Sequence, residues 1–141
     1  MRARLLIAFF SIPILVIAGR LEVIAAESAK PDAIRVVWKD GRRSEVSEKE
    51  LKQHTIWSEH PEYPSSARRA KISGAGVYVL HIDKKTGAVT HVDIELSTGS
   101  KVLDLYATSA FKRWRFVPGV FLEVRMPSAF NSARPENPWV F

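Results

Sequence analysis

The sequence predicts a small α+β domain that follows an N-terminal export segment. Apolar and polar residues alternate with a period of two on both sides of a turn at Gly87, which is typical of a β-hairpin. Apolar residues then recur at steps of three and four from Leu103 to Trp114, which is typical of an amphipathic helix with a buried stripe. A chain of 141 residues has room for one such domain.

The N-terminus predicts a secretory signal peptide or a membrane anchor over residues 1–26. Arg2 and Arg4 precede an apolar run at residues 5–18, and small residues follow at Ala25 and Ala26. This order of basic, apolar and small residues is typical of a signal peptide. The run is shorter than the roughly 20 residues that span a bilayer, which favours cleavage over retention as an anchor. In both cases the rest of the chain is expected on the far side of the membrane.

The amino-acid composition excludes several kinds of functional site. Without cysteine, the exported domain has no disulfide, no thiolate metal site and no thiol nucleophile. The formal net charge is +6, from 21 Lys and Arg against 15 Asp and Glu, but the basic clusters are short and mixed with acidic residues. Such clusters are typical of a solvated surface, so we expect no nucleic-acid partner.

Residues 27–57 are predicted to form an N-terminal extension with one short strand and one short helix. A polar tether at residues 27–33 leads into a β-rich run at residues 34–38, which the Asp40-Gly41 turn signal ends. Ser47 and Glu50 have the spacing of a capping box and predict a helix over roughly residues 48–54.

Residues 58–131 are predicted to form the domain, with an irregular tail at residues 132–141. Pro64 can begin a helix over residues 65–71. In the hairpin, a three-residue loop with a left-handed Gly87 sets the register: Leu80 lies opposite Val92, and Tyr78 lies opposite Ile94.

The second predicted helix begins after Ser100, a good N-cap, and stops before Pro118-Gly119. Asp104 suits its first turn, and Trp114 lies on its apolar stripe. A last strand follows. Its predicted core face carries Val120, Leu122, Val124 and Met126, and its other face carries Phe121, Glu123 and Arg125.

No catalytic residue or cofactor is predicted. The chain lacks a nucleophile-elbow motif, and its four histidines lack the helical spacing of a metal site. The hairpin register does place His81 opposite His91, with Asp93 on the same face. A small periplasmic enzyme or metal carrier built on these residues is therefore an alternative, but two imidazoles on a half-solvated sheet face are favoured.

Residues 63–130 resemble the C-terminal domain of TonB-family energy transducers. The matching residues keep the family's order and spacing over about half of the chain: Tyr63-Pro64, Ala67, Gly76, Ile82-Asp83, Gly87, Ser97-Thr98-Gly99, Leu103-Asp104, Ala107, Trp114-Arg115-Phe116, Pro118, Val124, Met126-Pro127 and Phe130.

This resemblance implies a fold and a function. The fold is a three-stranded antiparallel sheet with two helices on one face. Members take energy from an inner-membrane motor of the ExbB/ExbD type and pass it to outer-membrane receptors by binding a short peptide. The resemblance thus implies a non-enzymatic periplasmic module that binds a TonB-dependent receptor or another envelope protein. The alternative is a complete transducer of minimal length, with a retained anchor and a motor partner.

The implied fold places residues 120–130 at the sheet edge, beside the first strand of the hairpin. Pro127 agrees with an edge position because proline has no N–H for a second ladder. We therefore expect a partner peptide to pair with this strand by strand addition. The predicted contact residues are Leu122, Glu123, Val124, Arg125 and Met126.

Overall fold

A computed structural model describes residues 33–133 as seven strands and three helices. In chain order these are β1 (Ile34–Trp38), β2 (Arg43–Val46), α1 (Glu48–Gln53), β3 (Thr55–Trp57), α2 (Ser65–Arg69), β4 (Gly74–Ile82), β5 (Val89–Leu96), α3 (Lys101–Phe111), β6 (Arg115–Phe116) and β7 (Phe121–Phe130). The predicted segment at residues 1–26 lies outside the described residues. Within residues 33–133, no helix is long and apolar enough to span a bilayer.

The β4–β5 hairpin has the predicted register from Tyr78 to His81, but the register shifts at Ile82, so the turn is not the predicted three-residue loop. Leu80 pairs with Val92 and Tyr78 with Ile94, and Gly87 has a φ of 72° in the turn. Only glycine adopts this conformation without strain. A Cβ at this position would also collide with the backbone carbonyl of Phe116, so the turn lies directly against β6.

One face of the main sheet, which we call the core face, is covered by helices. Tyr78 and Leu80 are completely buried there, and the Tyr78 ring lies 5.3 Å from that of Phe111 on α3. The buried side of α3 carries Leu103, Ala107, Ala110 and Phe111, as the helical spacing predicts. The opposite face, which we call the open face, carries most of the charged side chains of the sheet.

The sheet has five strands in the order β2-β1-β7-β4-β5, and not the three that the resemblance implies. The two additional strands come from residues 34–46, which form a hairpin with Ile34 opposite Val46. This hairpin joins the sheet through β7. A separate two-stranded sheet pairs β3 with β6. Ser47 is the N-cap of α1, since the backbone N–H of Glu50 donates to Ser47 Oγ at 3.2 Å, which is one of the two hydrogen bonds of the predicted capping box.

Two predicted placements near the C-terminus are wrong. Phe121 lies on the core face and is fully buried, whereas Leu122 is half-buried. The register shifts between Val37–Glu123 and Trp38–Phe121, so Leu122 is an extra residue in a β-bulge that reverses the alternation. Trp114 is buried as predicted, but α3 ends at Phe111. Trp114 instead follows a turn and packs on Phe111 and Phe116.

Candidate functional site

The predicted partner strand β7 is the central strand of the sheet, so the expectation that it lies at an edge is wrong. β4 pairs with it from Gly74–Phe130 to His81–Glu123 without a break in register. On its other side, β1 pairs antiparallel with it, from Arg35–Arg125 to Trp38–Phe121. Of the five predicted contact residues, Leu122 to Arg125 therefore lie within the span that β1 covers.

The β1–β7 ladder is short. It comprises four residue pairs and is interrupted by the bulge at Leu122. Toward the C-terminus of β7, the pairing ends at Arg125, whose Nη1 donates to the carbonyl oxygen of Ala33 at 3.5 Å. From Met126 onward, β7 has no strand on this side among the described residues. The pairing thus stops before Pro127, which has no N–H to offer a ladder.

The core face of β1 is apolar. Ile34 and Val36 are buried, with exposures of 6% and 1%. Trp38 packs with its ring centroid 5.1 Å from that of Phe121, and its Nε1 donates to Ser44 Oγ at 2.8 Å. β1 is therefore held on β7 by three alternate apolar side chains as well as by backbone pairing.

The open face beside β1 carries a row of charges across the sheet. The Arg125 guanidinium binds both carboxylate oxygens of Glu95 at 2.9–3.0 Å, and this hydrogen bonding holds the pKa of Glu95 below its ordinary value. Glu95 reaches Arg125 from an irregular part of β5, where the register shifts between Tyr78–Ile94 and Val77–Leu96. The row lines a shallow depression of about 760 Å³.

Arg35 is in a less favourable position within this row. It lies directly opposite Arg125 and pairs with Glu45 of β2 at 3.3 Å. Its Nη2 atom is buried and has no hydrogen-bond partner within residues 33–133. Like charges directly opposite each other destabilise a pair of strands, and here the carboxylates of Glu45 and Glu95 counter this repulsion.

The two hairpin histidines meet as the register predicts. Their rings stack with centroids 6.0 Å apart, and Nε2 of both His81 and His91 lies 2.8 Å from a carboxylate oxygen of Asp93. These hydrogen bonds, from His81 first and then His91, lower the pKa of Asp93. No group of three or more His, Cys, Asp or Glu side chains in the described region is arranged to hold a metal ion.

A buried polar network fixes the start of α3. Asp104 is only 7% exposed and accepts hydrogen bonds from Tyr78 Oη at 2.9 Å and from the backbone N–H of Thr98 at 2.9 Å. Burial raises the pKa of Asp104, but the hydrogen bonds from Ser97, Thr98 and Tyr78 outweigh it and lower the pKa overall. Burial, reinforced by Asp104, raises the pKa of Tyr78.

Asp104 was predicted as a charge in the first turn of the helix and as a structural residue of the family motif, but not as the centre of a buried network. The signal that this prediction missed is the preceding Ser97-Thr98 pair, whose hydroxyl groups both hydrogen-bond the Asp104 carboxylate. The network joins β4, the loop after β5 and α3. It therefore has a structural role, distant from β1.

The other family-motif residues lie in the interior or at turns. Tyr63 is buried and its hydroxyl donates to the carbonyl of Ile72 at 2.6 Å, while Pro64 precedes α2. A Cβ at Gly76 would lie 2.8 Å from the carbonyl of Leu96, and Gly99 has a φ of 84°. Trp114 Nε1 donates to the carbonyl of Glu59 at 2.7 Å. Phe116 is fully buried, and Pro118 begins the turn before β7.

Comparison with known proteins identifies a family that covers the region of these residues. Residues 59–131 match the family described as Gram-negative bacterial TonB protein C-terminal. A protein of Pseudomonas aeruginosa named tonB2 is 36% identical over 58 residues, which is 41% of this chain and 21% of that protein. A TonB protein of Xanthomonas campestris pv. campestris is 36% identical over 56 residues, covering 40% of this chain and 25% of the relative. The matched region thus spans a quarter or less of these relatives.

Proposed function

Because the chain belongs to the TonB C-terminal family, we propose that it is a non-enzymatic periplasmic module that binds an envelope protein by strand addition. Its proposed partner is a short extended segment of an outer-membrane TonB-dependent receptor or of another envelope protein. Through this contact the chain would take part in energy-dependent transport across the envelope. The proposed binding site is β7 at Leu122 to Met126, where the partner segment takes the place of β1.

The observation that carries this proposal is the contrast in attachment of β1 and β4 to β7. β1 is held by four pairs with a bulge between the last two, so it can leave while the eight-pair β4 ladder keeps β7 in the core. Departure of β1 frees backbone N–H and C=O groups along the strand. Such an unpaired edge is a template for another extended chain.

A disulfide lock tests the binding site. The chain has no cysteine, so V37C/E123C introduces one cross-strand pair that ties β1 to β7 at directly opposite positions. The matched control V79C/D93C ties β4 to β5 on the same open face. A photo-crosslinking amino acid at Leu122 should capture the envelope partner in the native envelope. Capture should be lost in oxidised V37C/E123C and retained in oxidised V79C/D93C; equal capture by both would reject this site.

The N-terminal sequence supports the periplasmic location. Mass spectrometry of the mature protein should find residues 1–26 absent, because the basic start and short apolar run are typical of a cleaved signal. An intact Met1 on most molecules would instead favour the anchored transducer with an ExbB/ExbD-type motor partner.

A further inference from the structure

We infer that β1 is a built-in competitor for the partner strand, and that its residue pattern describes the strand that β7 selects. This inference rests on the proposed function, since it concerns the same surface of β7. Beyond the proposed function, it states which side chains the partner segment carries and how β1 prevents other segments from pairing with β7. Both statements follow from the contacts of β1.

The apolar positions of β1 define the first part of the pattern. Ile34, Val36 and Trp38 alternate along the strand; the first two are buried, and the third packs against Phe121. A strand that replaces β1 in the same antiparallel register must cover the same surface. The partner segment therefore carries a β-branched residue at the first two of these alternate positions and an aromatic residue at the third.

The residue between the first two apolar positions defines the second part. Arg35 faces Arg125 directly and leaves Nη2 buried without a partner in the described chain. Its ion-pair partner Glu45 belongs to β2, so a segment that replaces β1 does not gain this ion pair from β7. An uncharged polar side chain at that position avoids both penalties. A partner with Thr or Gln there pairs with β7 more tightly than β1 does.

Tethering explains why a weaker strand can still occupy the site. β1 is joined to β2 by a short turn, in which the backbone N–H of Gly41 donates to the carbonyl of Trp38 at 2.8 Å, and α1 follows β2 directly. A tethered strand has an effective concentration in the millimolar range. Segments with a poor match to β7 cannot displace it, so β1 also protects this edge from unspecific pairing.

The test uses the full chain and a peptide of defined sequence. The probe is a fluorescein-labelled peptide with the sequence of residues 33–39, and its twin carries Gln in place of Arg35. In the variant V36N, a polar group in the core face of β1 should release the strand. The matched control V37N changes the neighbouring, half-buried residue on the open face.

Fluorescence anisotropy should show saturable peptide binding to V36N and none to the parent chain or V37N. The Gln twin should bind V36N about two- to fivefold more tightly than the parental peptide, the fold-change expected for one unfavourable cross-strand pair. If circular dichroism shows that V36N is unfolded, V36G weakens β1 without burying a polar group and replaces it. Any of three results would overturn the inference: the peptide binds the parent chain and V36N equally, it does not bind a folded variant, or the Gln twin binds more weakly than the parental peptide.

The two proposals fail separately. Peptide binding to V36N without any captured envelope partner would keep the inference and reject the proposed function. Partner capture that the oxidised V37C/E123C lock leaves unchanged would show binding elsewhere, and β1 would then compete with nothing.

Discussion

On one side of β7, β4 pairs along eight consecutive residues, whereas on the other side β1 pairs at four positions and is interrupted by a bulge. The β4 side lies over the helices, with Leu80 and Val124 completely buried. The β1 side also buries Ile34 and Val36, but it places Arg35 directly opposite Arg125. Although both ladders contact the same strand and β1 also contributes Ile34 and Val36 to the core, the shorter ladder is the one that we expect to open.

The largest expected effect is on the β4 side. Leu80→Ala removes a fully buried side chain that lies opposite Val124 and Val92. It should lower the free energy of unfolding by about 2–5 kcal/mol, a large share of the ~5–15 kcal/mol typical of a domain. Urea unfolding measures the loss. Val79→Ala, on the open face of the same strand, is the control; equal losses for both variants would contradict this placement of the core.

A smaller and more local effect is expected on the β1 side. Val36→Ala removes two buried methyl groups and should lower the free energy of unfolding by about 1–2 kcal/mol. Because β1 is expected to open by itself, amides of residues 121–125 that face β1 should exchange hydrogen faster, while those between β4 and β7 keep their protection. Hydrogen-exchange mass spectrometry measures the exchange rates of these two sets of amides. A uniform acceleration across the sheet would mean that β1 and β4 open together.

The smallest effect concerns the ion pair between β7 and β5. Hydrogen bonds from Arg125 hold the pKa of Glu95 below its ordinary value. The pair therefore stabilises the folded state above the ordinary pKa of a glutamate, and this contribution is lost as pH falls through the lowered pKa. The Glu95 side chain is 46% exposed, so we expect no more than about 1 kcal/mol. Urea unfolding should show Glu95→Gln less stable than the parent at pH 7, with a deficit that shrinks as the pH is lowered. A deficit that does not change with pH would exclude the charge as its cause.

Local features of the fold were predictable from the sequence. The β4–β5 register follows from a period-two pattern and one left-handed glycine, and α1 follows from a capping box, because each involves residues close in sequence. The neighbours of β7 were not predictable in this way. Residues 34–38 read as a strand, but nothing in a five-residue apolar run specifies which strand it pairs with.

The prediction of the candidate site depended on which strands flank β7. Placing Leu122 to Met126 at an edge followed from a three-stranded sheet, and β1 fills this position in the structure. Pro127 correctly indicated that β7 has a strand on only one side near its C-terminal end, since the β1 ladder ends at Arg125. It gave no information about residues 121–125. The bulge at Leu122 is likewise a consequence of pairing with β1, and no pattern within residues 120–126 reveals it.

The last strand of the described residues is the central strand of the sheet, and this has a consequence for biosynthesis. Until β7 has been translated, residues 34–46 and 74–96 can form only two unconnected hairpins, since β7 joins them in the sheet. An isolated hairpin is at best marginally stable in water. The sheet therefore cannot be completed until β7 has been synthesised. A stop codon within β7 would accordingly remove the sheet as a whole and not merely its margin.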